Sequence, residues 1–129
     1  MNFKKLVVCI LLLSSISASY ATLNITASRE LIQRIVPTHA AQFEVVELSA
    51  VNGDGFQIYS QNGKIVLAGN NGVSVASALY YYLNEYCHCQ ITWNGVNLNL
   101  PKNLPLVSGK IEKSSPYEYR YYLNYCTYN

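Results

Sequence analysis

Charged residues are scarce in this chain of 129 residues, since only 12% are Asp, Glu, Lys or Arg while half are apolar. The few charges are scattered, so no basic stripe is present that could neutralise a nucleic-acid backbone. A phosphate-binding loop is also missing, because the glycine-rich stretch from Gly69 to Gly72 lacks both Gly-x-Gly-x-x-Gly and a Lys-Ser/Thr ending. The apolar content is nevertheless sufficient for the core of one domain, which excludes disorder by composition.

Long apolar runs are missing too, except at the N-terminus. There, residues 6–13 follow two lysines and precede small residues up to Ala21, which is the layout of a secretory signal peptide. The run is too short to span a bilayer as a helix. We therefore expect residues 1–21 to be a leader, the mature chain to begin near Tyr20 or Thr22, and the exported protein to have no membrane anchor.

Export has two consequences for the mature chain. Asn24-Ile25-Thr26 is the only Asn-x-Ser/Thr sequon, so Asn24 is the candidate glycosylation site. Loss of Lys4 and Lys5 reduces the nine cationic side chains to seven, against seven anionic ones. The mature protein is therefore expected to be near neutral, with no nucleic-acid partner.

Cysteine is sparse as well, with four in the chain. Cys9 would leave with the leader, so three remain, and an odd number implies a free thiol or a partner elsewhere. Cys87-His88-Cys89 is too closely spaced for the usual zinc hook. The motif indicates either two packed cysteines at a helix end or one local bridge. We predict no metal site and no cofactor.

The stretch from Asn70 to Trp93 predicts the central helix of the fold. Asn71 can cap it, because its side-chain oxygen can accept from backbone N–H groups of the first turn. Apolar residues that recur at steps of three and four predict the face that packs on a sheet: Val73, Ala76, Tyr80, Leu83 and Cys87. The twelve tyrosines of the chain suggest a buried but wet interface or pocket.

Other local signals predict the remaining elements. Ser28 can cap a first helix that Pro37 ends, and residues 42–48 form the first predicted strand. Asn62-Gly63 and Asn94-Gly95 each predict a hairpin turn, because both residue types tolerate positive φ. This order predicts an α/β (α+β) two-layer sandwich over residues 22–111, with a small antiparallel or mixed sheet and helices on one face.

No pair of residues suggests a catalytic centre in this domain. Glu44 and Glu47 fall on opposite faces of a regular strand, so they cannot form a carboxylate pair. His39 lies in a connector, where a structural role is expected. Residues 112–129 are predicted to form a connector and a tyrosine-rich strand in which Tyr117, Tyr119 and Tyr121 share one face.

Several motifs in order resemble one enzyme family. Cys87-His88-Cys89 closes the central helix, Trp93-Asn94-Gly95 follows it, and residues 100–105 read Leu-Pro-Lys-Asn-Leu-Pro. Residues 120–127 then read Arg-Tyr-Tyr-Leu-Asn-Tyr-Cys-Thr, which is the most specific piece. Together these motifs resemble the start of the lysosomal α-N-acetylglucosaminidases, over most of the mature chain.

The resemblance implies a small N-terminal domain followed by a (β/α)₈ barrel, of which only the first strand would be present here. Family members remove terminal α-linked N-acetylglucosamine from heparan sulfate with two glutamates on the barrel. No catalytic residue is therefore assigned in this chain, and a lysosomal or secreted location is expected. By match to the last motif, Asn124 and Cys126 are the candidate substrate-binding residues, and the implied partner is an N-acetylglucosamine-containing glycan bound through the missing barrel.

Three interpretations follow from the sequence. The first is an N-terminal piece of a glycosidase, inactive without its barrel. The second is a self-standing secreted module that binds carbohydrate or a partner through its tyrosines. The third is an unproductive gene product.

Overall fold

The computed structural model describes residues 22–49 and 53–117. The elements in these ranges are two α-helices, one 3₁₀ turn and six strands. In chain order they are α1 (Ile25–Ile35), the 3₁₀ turn (Ala40–Gln42), β1 (Phe43–Glu47), β2 (Gly55–Gln61), β3 (Lys64–Gly69), α2 (Gly72–Cys87), β4 (Gln90–Thr92), β5 (Gly95–Asn97) and β6 (Lys110–Ser114).

A mixed four-stranded sheet has the order β1-β3-β2-β6. β1 pairs with β3 in parallel, with Val45 opposite Leu67, whereas β2 is antiparallel to both β3 and β6. The predicted β2–β3 hairpin is confirmed, since Asn62 and Gly63 both have positive φ at its turn. β6 was not predicted, and it continues the sheet through Ser114, past the expected domain limit at residue 111.

Both helices pack on one face of this sheet, as predicted. Because Phe43 pairs with Ile65 and Val45 with Leu67, these four side chains share a face. A single buried cluster joins that face to α1, to α2 and to the connector before β6 through Ile32, Val36, Val75, Leu79, Tyr82, Leu83, Leu104 and Val107. The mixed α/β sandwich is therefore confirmed.

The start of α1 differs from the prediction. Asn24, rather than Ser28, is the N-cap, since its Oδ1 accepts a hydrogen bond from the Ala27 N–H at 3.0 Å. Ser28 is buried in the first turn, where its hydroxyl donates to the Asn24 carbonyl. The end was predicted correctly, because the helix stops at Ile35, just before Pro37.

The buried face of α2 also differs from the predicted one. Its buried side chains are Ser74, Val75, Ala78, Leu79, Tyr82, Leu83 and Cys87. Val73 and Tyr80, which were predicted to face the sheet, are 59% and 44% exposed. The predicted cap is confirmed, since Asn71 Oδ1 accepts from the Ser74 N–H at 2.9 Å. Neither described helix is long and apolar enough to cross a bilayer.

The second predicted hairpin forms a separate two-stranded sheet, β4–β5. It is shorter than expected, because β5 ends at Asn97 while the predicted strand ran to Leu100. Trp93 at its tip is 94% exposed and Val96 is also exposed. The tip of the hairpin thus projects from the domain, while Ile91 in β4 packs against the core.

Candidate functional site

The end of α2 carries a compact cluster of tyrosine and cysteine side chains. The Tyr82 ring stacks on Tyr86 at 5.4 Å and meets Phe43 edge-on at 5.5 Å between centroids. Its hydroxyl donates a 2.7 Å hydrogen bond to the Pro105 carbonyl, which ties the connector before β6 to the helix. Burial raises the pKa of the Tyr82 hydroxyl far above its usual range, and neighbouring Cys87 adds to the shift. Tyr82 is therefore a structural anchor and not an acid or base at neutral pH.

Cys87 and Cys89 are buried, free thiols at the helix end. Of the two alternatives that the sequence left open, packed cysteines are therefore observed and a local bridge is not. Burial raises the pKa of both thiols, which keeps them protonated and unreactive. His88 between them closes the helix in the left-handed conformation, with φ 52°. Across the described ranges, no group of three His, Cys, Asp or Glu side chains is placed to hold a metal.

A polar network holds the start of α2 on the sheet. Asn70 Oδ1 accepts from the Gly55 N–H at 3.1 Å and from the Ser74 hydroxyl at 2.7 Å. Asn71 Nδ2 donates to Asp54 Oδ1 at 2.6 Å. The glycine- and asparagine-rich loop is thus used for turns and caps, as predicted, and its polar atoms face each other instead of a phosphate.

His39 is structural, as expected. Its Nε2 donates to the Pro101 carbonyl at 3.0 Å, and its Nδ1 lies 2.9 Å from the Thr38 hydroxyl. Gln42 fixes the same connector by donating to the Lys102 carbonyl and accepting from the Leu104 N–H. These contacts place the connector but create no catalytic centre.

A concave surface lies beside α2, and we call it the α2 groove. It has a volume of about 570 Å³ and is mostly apolar. Nine residues from α2, β2 and β6 line it: Phe56, Val73, Ala76, Ser77, Tyr80, Tyr81, Asn84, Glu85 and Lys113. Lys113 Nζ lies 4.9 Å from the centroid of the Tyr81 ring, a cation–π contact, and the Phe56 ring is tilted against Tyr81 with 6.0 Å between centroids.

The chemistry of the α2 groove is that of a binding surface. Glu85 is the one carboxylate among its lining residues, and a glycosidase needs two. The groove therefore offers aromatic and aliphatic contacts with one cation and one anion, and no acid–base pair. Sequence reasoning missed it because Val73 and Tyr80 had been placed in the core.

Three predicted site residues have different outcomes. The exposed side chain of Asn24 caps α1, so it lies at the surface of the domain. Asn124 and Cys126 lie outside the described residues, so their proposed sugar contacts stay predictions.

Comparison with known proteins decides the family. The sequence profile of the α-N-acetylglucosaminidase N-terminal domain matches residues 26–106, which is more than half of the chain. The chain belongs to this family. The resemblance seen in its motifs is thereby confirmed, and the matched region ends four residues before β6 begins.

Relatives with the same N-terminal domain are much longer. Human α-N-acetylglucosaminidase is 38% identical over 107 residues, which cover 78% of this chain and 14% of the relative. A family 89 glycoside hydrolase from Clostridium perfringens, solved in complex with PUGNAc, is 35% identical with a TM-score of 0.73 and covers 81% of this chain and 12% of its own. A variant of the clostridial enzyme with two glutamates replaced by glutamine, in complex with its substrate GlcNAc-alpha-1,4-galactose, matches equally. The chain thus spans about one seventh or less of these relatives.

Proposed function

We propose that this chain is the N-terminal supporting domain of an α-N-acetylglucosaminidase, and that hydrolysis of a terminal α-linked N-acetylglucosamine needs a catalytic domain outside its 129 residues. The observation that carries this proposal is the extent of the match. An α-N-acetylglucosaminidase domain profile covers most of the chain, whereas the chain itself covers only 14% and 12% of two relatives. In agreement, the α2 groove contains a single carboxylate.

Two measurements test the proposal. The purified 129-residue chain should give no turnover of a chromogenic α-N-acetylglucosaminide, whereas the clostridial enzyme serves as the positive control. Turnover that disappears when one of the chain's own acids is changed would refute the proposal. Binding of N-acetylglucosamine by the chain alone would instead favour a stand-alone carbohydrate-binding module.

A domain exchange tests the supporting role directly. In the clostridial enzyme, the matching N-terminal region is replaced by residues 22–129 of this chain, and a second version lacks the region altogether. We expect the exchanged enzyme to keep activity and the shortened one to lose it. If both are equally active, the domain does not support catalysis.

Asn124 and Cys126 are proposed to contact the sugar in such an enzyme. In the exchanged enzyme, Asn124→Ala should lower kcat/KM by about 10- to 100-fold, the equivalent of about 1–3 kcal/mol for one lost hydrogen bond in the site. Tyr125→Phe is the matched control, because no contact is assigned to that residue. Equal effects of the two changes would contradict the assignment.

We further propose that the protein enters the secretory pathway and carries a glycan on Asn24. The exposed position of Asn24 and the exposed Thr26 support this. Because Asn24 also caps α1, Thr26→Ala is a cleaner test than a change of Asn24: it removes the sequon and keeps the cap. A glycosidase-sensitive mass on secreted protein should be absent from the Thr26→Ala variant, and an unmodified wild-type mass would end the proposal.

A further inference from the structure

The chain leaves the sheet at Ser115, one residue after β6 ends. The Ser115 N–H donates to the Asp54 carbonyl at 2.8 Å, which extends the pairing of β2 with β6 by one residue on each side. The backbone then bends at Pro116, and the Tyr117 N–H donates back to the Ser115 hydroxyl at 3.3 Å. The position of Asp54 therefore sets the point at which the chain leaves the domain.

Asp54 needs support from other side chains, because a glycine flanks it on each side. Gly53 has a φ of 78°, a conformation that favours glycine. Asn70 donates through Nδ2 to the Gly53 carbonyl at 2.6 Å and accepts through Oδ1 from the Gly55 N–H at 3.1 Å. Asn71 Nδ2 donates to the Asp54 carboxylate at 2.6 Å. Two neighbouring asparagines thus hold the whole Gly-Asp-Gly segment.

The same two asparagines also hold the start of α2. Asn71 Oδ1 accepts from the Ser74 N–H at 2.9 Å, and Asn70 Oδ1 accepts from the Ser74 hydroxyl at 2.7 Å. Ser74 is buried, so this end of the helix is fixed inside the domain. The Asn71 side chain therefore has two separate tasks: its oxygen caps α2, and its nitrogen holds the residue that receives the departing chain.

These contacts form what we call the exit network, which consists of Asp54, Asn70, Asn71 and Ser115. We infer that the exit network fixes the point and the direction in which this domain joins the catalytic domain. Asp54 and Asn71 are then positioning residues for the glycosidase, since they touch no substrate but set the start of the chain that leads to the catalytic domain. The inference rests on the supporting role proposed above and says through which contacts that support acts.

The two tasks of Asn71 can be separated by changing one atom. Asn71→Asp keeps the oxygen that caps α2, because aspartate is as good an N-cap as asparagine. It replaces the donor by a second carboxylate that faces Asp54. Asp54→Asn in the same protein returns a donor to the contact, with the direction of the hydrogen bond reversed. This double variant restores the contact without restoring either original residue.

Amide hydrogen exchange on the full chain tests the network itself. In Asn71→Asp the Ser115 N–H should exchange faster by about tenfold or more, the effect of one lost hydrogen bond to a charged group. The Ser74 N–H, which reports the cap, should keep its rate. The double variant should return the Ser115 rate to that of the wild type. An unchanged Ser115 rate in Asn71→Asp, or an equal increase at Ser74, would overturn the inference.

Catalysis is measured in the exchanged clostridial enzyme, which contains residues 22–129 of this chain. PUGNAc forms a complex with the clostridial enzyme, so its binding counts the protein that is competent to bind, and kcat/KM is expressed per competent enzyme. Asn71→Asp should lower this value by about tenfold, and the double variant should recover it. A network that only stabilised the domain would reduce the amount of competent enzyme and leave kcat/KM per competent enzyme unchanged, which would overturn the positioning role.

Gln57→Glu is the matched control, because Gln57 Nε2 donates to Glu112 Oε2 at 3.0 Å across the same two strands, outside the exit network. The change places two carboxylates opposite each other on β2 and β6, and kcat/KM should not change. A loss as large as that of Asn71→Asp would overturn the inference, since any weakening of this strand pair would then suffice. Failure of the supporting role gives a different result: the exchanged enzyme without further changes would be no more active than the one that lacks the domain.

Discussion

Replacement of Gly69 by alanine measures how closely α2 lies on the sheet. Gly69 ends β3, directly before the loop that starts α2. A Cβ atom added there would lie 2.9 Å from both Cγ2 and the backbone nitrogen of Val75, and 3.0 Å from Cβ of Ser74. Because one of these atoms belongs to the helix backbone, the clash can be relieved only if α2 and the end of β3 move apart.

The expected cost follows from this geometry. Overpacking of a dense interior costs about 1–3 kcal/mol. Domains of this size are stable by about 5–15 kcal/mol, so the variant should still fold. With an m-value of about 1–3 kcal/mol/M, a loss of about 2 kcal/mol lowers the urea midpoint by about 1 M.

Gly72→Ala is the matched control, three residues away. Gly72 is the first residue of α2, and a Cβ there meets nothing within 4 Å. This variant should gain about 0.4–1 kcal/mol, because alanine has fewer unfolded conformations to lose. Urea unfolding followed by circular dichroism at 222 nm measures both. A Gly69→Ala protein as stable as wild type would refute the close approach.

Three further predictions concern the end of α2. Tyr82→Phe should cost about 1–3 kcal/mol in urea unfolding, because it leaves the Pro105 carbonyl without its 2.7 Å hydrogen bond; no loss would exclude this anchor. His88→Gly should raise the stability by about 0.5–1 kcal/mol in thermal unfolding, since glycine adopts the left-handed φ of 52° without steric cost, and a drop in Tm would contradict this C-cap. Burial raises the pKa of the Cys87 and Cys89 thiols, so a thiol reagent should label them only after denaturation. The two thiols contribute their full stabilisation below the unfolded-state pKa of about 8.5, and this contribution is lost as the pH rises through their higher folded-state pKa. The urea midpoint should therefore fall in alkaline solution. It should fall less steeply in a Cys87→Ala/Cys89→Ala variant.

Some elements could be predicted because their signals are local. Asn62 and Gly63 form the hairpin turn because both residue types tolerate positive φ. Asn71 caps α2 by accepting a hydrogen bond from the Ser74 N–H, only three residues further along the chain. Pro37 ends α1 because proline cannot continue the hydrogen bonding of a helix. The family was recognisable for a related reason, since its motifs are runs of neighbouring residues.

Other features depend on residues that are distant in the chain. α2 is apolar on two sides, so its periodicity did not distinguish Val75 and Tyr82, which the sheet buries, from Val73 and Tyr80, which it leaves exposed. β6 has little apolar character and became a strand only because β2 offered it an open edge.

By itself, then, the sequence determined both helices, the two hairpins, their order and the family, because caps, turns and motifs act over a few neighbouring residues. Only the tertiary structure decided which face of α2 is buried, and hence that an apolar groove lies open beside Lys113. The physical reason is that burial is settled by what packs against a helix, and that partner comes from strands far away in the chain.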